Sequence, residues 1–305
     1  MHIPWIRSPY PPITQSPREA ERRLSELATV HPYDPAMVAR YVAAVRGELA
    51  AEALLPEAPG WVGREVARAR AGHARALAGD EAGANAVSYG LARMLGAAEP
   101  VFYLPGLGLT HLEAKFDRGM GMVLRPPSRL FAAAGLATAA ARAMPIRLDA
   151  AGGMMGGAFI PPALTPRFRE LLEVRLERLA RRIAEAEMDA PALLGTLLQA
   201  SAYAAERGYG LVEAVDVVVP DVPESAPPGL RLVVPDRKGL DRELRARLEA
   251  AARPPKEPGM LARLLRRGGA ARAQDPDAGR RWRGMNDVTP PPEPVGDEAP
   301  GGERT

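Results

Sequence analysis

Apolar positions recur every three or four residues along most of the chain, the spacing that places them on one face of a helix. The clearest stripe is Phe168, Leu172, Leu176, Leu179 and Ile183, and it predicts a helix over residues 165–188. Met37, Tyr41, Val45 and Leu49, with Val38 and Val42 beside them, predict another over about 34–55. Val62, Val66, Ala69, His73 and Leu77 share a face over 61–77, and Val87, Leu91, Met94 and Leu95 do so over 80–97. The last of these carries few charges, and so does the segment 190–205, so both are expected to be deeply buried. Shorter helices are predicted over about 16–30, 128–144 and 241–252.

The helix starts share one chemistry. Ser16-Pro17, Asp34-Pro35, Ser128 and Asp189-Ala190-Pro191 each set a side-chain acceptor at or near the first turn. Such an acceptor satisfies backbone N–H groups that have no partner inside the helix, and proline there loses nothing. Ser16 with Glu19 completes a capping box.

Only two runs read as strands, 215–219 and 230–234. The proline-rich stretch 220–229 between them suggests a minor β-hairpin. Val101-Phe102-Tyr103-Leu104 is a short aromatic run ended by Pro105-Gly106. The whole stretch 99–127 is read as loop, with a short helix over 110–118. Residues 150–162 read as a glycine-rich apolar connection or a short buried helix. The fold class expected is mostly α: an irregular or orthogonal helical bundle of seven to nine helices. Three regions are expected: an extended N-terminal arm over 1–15, a helical domain over 16–252 with a sub-boundary near 99–127, and a disordered Arg/Pro-rich tail over 253–305. No internal repeat is evident.

Composition adds exclusions. The 305 residues contain no Cys, which removes disulfides, thiolate metal sites and a cysteine nucleophile. No uncharged run reaches the roughly 18 apolar residues of a membrane span. The start of the chain lacks the apolar core of a secretory signal. A cytoplasmic protein without a transmembrane segment is expected. The net charge of +3 is small, but it is uneven. Residues 253–283 hold 9 basic and 3 acidic groups, and residues 284–305 hold 1 and 5.

Candidate chemistry is sparse. The segment Thr110-His111-Leu112-Glu113-Ala114-Lys115-Phe116-Asp117 holds the catalytic candidates His111, Glu113 and Asp117. One imidazole and two carboxylates within seven residues could serve acid–base chemistry, yet their spacing matches no metal motif, and a charged surface turn is the plainer expectation. Gly106-Leu107-Gly108 and Gly119-Met120-Gly121 lack the strand, helix and lysine of a phosphate loop, and read as flexible loop. His73 lies on an apolar stripe and reads as a core or boundary residue. Met120, Met122, Met144, Met154 and Met155 gather mid-chain and read as filler of an irregular core. No metal and no cofactor is expected.

Arg263, Arg266, Arg267, Arg280, Arg281 and Arg283, with Arg272 and Trp282, form the one basic stretch suited to anions. Three functional expectations follow. The first is a non-enzymatic interaction or scaffold protein with a protein partner. The second is a small-molecule binder or enzyme with a site at the 99–127 and 152–157 loops. The third is a binder of anionic lipid or nucleic acid through the tail.

Overall fold

The computed structural model describes residues 27–144, 158–215, 217, 226–238 and 240–253. The N-terminal arm, the first predicted helix up to residue 26 and the arginine tail lie outside the described residues. Within them the chain is mostly helical, as expected, but a mixed five-stranded sheet runs through its centre. The elements are β1 (Ala28–Tyr33), α1 (Pro35–Arg46), α2 (Pro59–Ala76), α3 (Glu81–Ala98), β2 (Val101–Tyr103), α4 (Pro127–Ala133), α5 (Thr138–Arg142), β3 (Phe159–Ile160), α6 (Thr165–Glu185), α7 (Ala190–Arg207), β4 (Gly210–Val215), β5 (Leu232–Val233) and α8 (Arg242–Ala252). A single helical turn, Leu109–His111, runs on into a wide turn, Leu112–Phe116.

The strand order is β3-β4-β1-β2-β5. β1 pairs antiparallel with both β4 and β2, β3 pairs antiparallel with β4, and β5 pairs parallel with β2. The helices lie in two layers, one on each face of this sheet, and pack against one another within each layer. Val30, Leu211 and Ile160 point to one face and pack with α6, α7 and α8. Tyr33, Val212 and Phe159 point to the other, against α1, α2 and α3. Neighbouring residues of one strand thus enter opposite cores, as the pleat requires.

β1 corrects the sequence reading, which carried a helix to residue 30. All six of its residues are buried, and the alternation of Ala28 and Val30 with the polar Thr29 and His31 lasts only four residues. It also contains Pro32, a residue that central strands normally exclude. The register Val30↔Phe102 places Pro32 opposite Pro100, one residue before β2 begins. The amide that proline lacks therefore faces a place where no ladder bond is due.

The expected hairpin between 215–219 and 230–234 is also corrected. β4 lies earlier, at Gly210–Val215, and β5 pairs with β2 instead. Gly210 opens β4 because a Cβ there would stand 2.3 Å from Cε1 of Tyr33 and 2.5 Å from the Ile160 carbonyl. The aromatic run is strand β2, and Phe159-Ile160 is strand β3 rather than a connection or a helix. Strands from both sides of residues 99–127 join the one sheet.

The helices follow the predicted starts more closely than the predicted ends. Asp34, Asp80, Asp189 and Asp241 each accept a backbone N–H of the first turn. α1 stops at Arg46, short of residue 55, because Gly47 takes a left-handed φ of 84° and closes the end. The helix expected over 128–144 is two short helices, with Gly135 at φ 89° between them, and Pro126 rather than Ser128 at its N-cap. α2 and α3 cross at Gly72 and Gly83, where a Cβ on Gly83 would stand 2.5 Å from the Gly72 carbonyl oxygen. They are tied further by Arg93, which meets Glu65 at 3.4 Å and lies over the rings of Trp61 and Tyr89.

Candidate functional site

The helical turn Leu109–His111 begins at Gly108, which has no side chain to cap it. A carboxylate from the sheet supplies the cap. Glu213, on β4, accepts the Thr110 backbone N–H at 3.0 Å and lies 3.0 Å from the Thr110 hydroxyl. It also accepts the Ala158 N–H at 3.1 Å. A Cβ on Gly108 would stand 1.9 Å from Glu213 Oε1 and 3.4 Å from His111 Nδ1, so this glycine is a close approach and not a flexible link.

Glu213 is fully buried, and desolvation of its carboxylate pushes the pKa from 4.5 to about 7; the three hydrogen bonds pull the other way but lose. Its neutral form fits the same partners. One oxygen takes both backbone N–H groups, and the other, protonated, can donate to the Thr110 hydroxyl.

The remaining sequence candidates have separate duties. His111 is buried against Gly108, and Glu113 is half-buried on the wide turn. Asp117 is buried and accepts from Arg175 Nη1 at 2.7 Å and from the Gly119 N–H at 2.9 Å. Arg182 donates to the Phe116 carbonyl. Two arginines of α6 thus hold the 112–119 stretch to the core through the buried Asp117 and the Phe116 carbonyl, while Lys115 and Arg118 stay exposed, so the expected charged surface turn is anchored at one end. A Cβ on Gly119 would collide with the Arg175 guanidinium, 1.9 Å away. Among the described residues, no group of three His, Asp or Glu side chains could hold a metal ion. His73 is half-buried, and its pKa is lowered by desolvation and by Arg46.

His31 is a second buried titratable group, on the opposite face of the sheet from Glu213. The Thr29 hydroxyl donates to the Ala214 carbonyl at 3.1 Å, so it accepts from His31 Nε2, 2.9 Å away. That fixes the proton on Nε2 of the neutral ring. Burial lowers the pKa of His31 from 6.5 to about 3.

Backbone hydrogen bonds link Glu213 to a surface groove. Its own N–H donates to the Ala158 carbonyl, and the next residue, Phe159, exchanges two backbone hydrogen bonds with Arg125, at 2.8 and 2.9 Å. Phe159 and Arg125 both line an open groove of about 390 Å³ between β3, α1 and α4. Tyr33, Val38, Leu130 and Pro161 supply apolar wall, and the lining holds two charged side chains, Arg125 and Arg129. Arg125 Nη1 donates to the Met122 and Leu124 carbonyls at 3.0 and 2.7 Å.

The groove touches the predicted 99–127 loop only at its far end, through Arg125. Residues 152–157 of the second predicted wall, and Arg263, Arg266, Arg267, Arg280, Arg281 and Arg283, lie outside the described residues. Sequence reasoning missed Glu213, Arg125 and Arg129. Glu213 left one trace, a single charge inside the apolar run Leu211-Val212-Glu213-Ala214-Val215. Arg125 and Arg129 left none among so many arginines.

The chain was compared with family models, curated proteins and solved structures, and none of them matches it. No helix among the described residues is long and apolar enough to cross a membrane.

Proposed function

We propose that this chain is a small-molecule-binding protein and that the groove between β3, α1 and α4 is its site. The groove itself carries the reading. Its 390 Å³ falls in the range of roughly 300–1,000 Å³ typical of ligand sites. Its walls are mostly apolar, with a small number of polar groups, the usual division between binding energy and orientation. Most of its wall comes from β1, β3, α1 and α4, with Arg125, Ala134 and Pro161 from the connections between them. Small residues make the space, since Ala39, Ala133 and Ala134 border it where larger side chains would fill it. This is a form of the second expectation drawn from the sequence, moved from His111 to the Arg125 end of the same stretch.

The test is a thermal-shift screen of a metabolite library on the intact chain and on Ala39→Trp. Ala39 is exposed on α1, so the larger side chain enters the groove without entering the core. The expected result is a set of compounds that raise Tm of the wild type and leave the variant unmoved. Stabilising compounds that act equally on both proteins, or none at all, would count against the site.

A further inference from the structure

We infer that the ligand of this groove is an amphipathic anion, with an apolar body on the groove walls and one anionic head between Arg125 and Arg129. The inference rests on the groove being a binding site, and it names the ligand class.

Charge is the first argument. The charged side chains that line the groove are both guanidinium groups, and no carboxylate lines it. Among the described residues, no Asp or Glu forms an ion pair with Arg125 or Arg129, whereas Arg175, Arg169, Arg237 and Arg247 each have one. A cationic ligand would meet two like charges there. A neutral apolar ligand would cover them and cost their hydration without giving a partner.

Preorganisation is the second. Arg125 is held at three points: its backbone is bridged to Phe159 in both directions, and Nη1 is spent on the Met122 and Leu124 carbonyls. The side chain is already ordered, and its other nitrogens still carry donors, so little rotamer entropy is lost when an anion arrives. Arg129 is exposed on α4, four residues further on, and is free to swing onto the same head.

The apolar body follows from the walls. Val38 and Leu130 are aliphatic, while Tyr33 and Phe159 meet edge-to-face with centroids 6.3 Å apart. The groove volume lies near the small end of ligand sites, so the body is of medium size rather than a long lipid. A carboxylate and a phosphate monoester offer the same chemistry to two guanidinium groups, and separate probes tell them apart.

The experiment is calorimetric titration of the full chain with decanoate, decyl phosphate, decanol, decylamine and acetate, each kept below its micelle concentration. Decanoate or decyl phosphate is expected to bind at least tenfold tighter than decanol, decylamine and acetate, and whichever of the two binds tighter identifies the head. Arg129→Gln is expected to weaken the anion about tenfold and to leave decanol unchanged. Ala39→Trp should abolish binding of both. Equal affinity for decanol and the tighter of the two anions, or an Arg129→Gln variant with unchanged affinity for that anion, would overturn the anion. Acetate binding as tightly as decanoate would overturn the apolar body. If none of the five binds while screened compounds still distinguish wild type from Ala39→Trp, the ligand class falls and the groove stands. If no compound in either experiment binds, both fall.

Discussion

Replacing Glu213 by Gln should remove this side chain's share of the pH dependence of stability. The folded chain holds this carboxyl at a pKa of about 7, against 4.5 for an exposed one. The native state therefore keeps a proton that the unfolded chain releases between those values. A raised folded pKa gives stability that is fully present below pH 4.5 and is lost as pH rises through about 7. Each pKa unit is about 1.36 kcal/mol, so the loss amounts to about 3 kcal/mol by pH 8. Glutamine reproduces the neutral arrangement. Its amide oxygen can take the N–H groups of Thr110 and Ala158, and its NH₂ can donate to the Thr110 hydroxyl, the geometry that Glu213 occupies. The assay is urea denaturation of wild type and Glu213→Gln at half-unit steps from pH 4.5 to 8, with stability compared at each step. The two proteins should be close near pH 4.5, and the variant should become more stable by about 3 kcal/mol at pH 8. A difference that stays constant across this window, or a variant that falls with the wild type, would refute the reasoning.

His31 predicts the opposite limb. Its folded pKa of about 3 lies below the usual 6.5, so the unfolded chain gains a proton first as pH falls, and stability drops from pH 6.5 downward. His31→Leu should spare about 3 kcal/mol of that loss by pH 4, read from urea curves at pH 4 and 7. Gly83→Ala sets two effects against each other. Alanine gains up to about 1 kcal/mol of helix propensity, but its Cβ would stand 2.5 Å from the Gly72 carbonyl oxygen and 2.8 Å from the Ala76 nitrogen. Backbone cannot move aside cheaply, so a net loss of about 1–3 kcal/mol is expected, and a Tm at or above wild type would contradict the close crossing of α2 and α3.

What the sequence determined by itself is the set of helices and where they begin. Asp34, Asp80, Asp189 and Asp241 each bind an N–H two or three residues ahead, an interaction contained in a few consecutive residues. The stripe Phe168, Leu172, Leu176, Leu179 and Ile183 is likewise local, and all five residues are buried in α6. The sheet was legible only in part. β5 lies inside the strand-like run 230–234, but β3 has two residues, β4 is apolar on both faces except for Glu213, and the short alternation of β1 ends at Pro32. A helix at residue 30 gave way to a strand because Val30 is stabilised by partners at 102 and 213, which no local propensity records.

Function lies further still from local sequence. Glu213 reads as one acid in an apolar run until folding brings Thr110 and Ala158 to it from 103 and 55 residues away. The groove joins the end of β1, the start of α1, the Arg125–Leu130 stretch and β3 with the prolines after it, segments that share no motif. Helix caps and stripes are decided within a turn or two of chain. Strand pairing, buried charge and concave surface depend on which distant segments meet, and only the tertiary structure decides that.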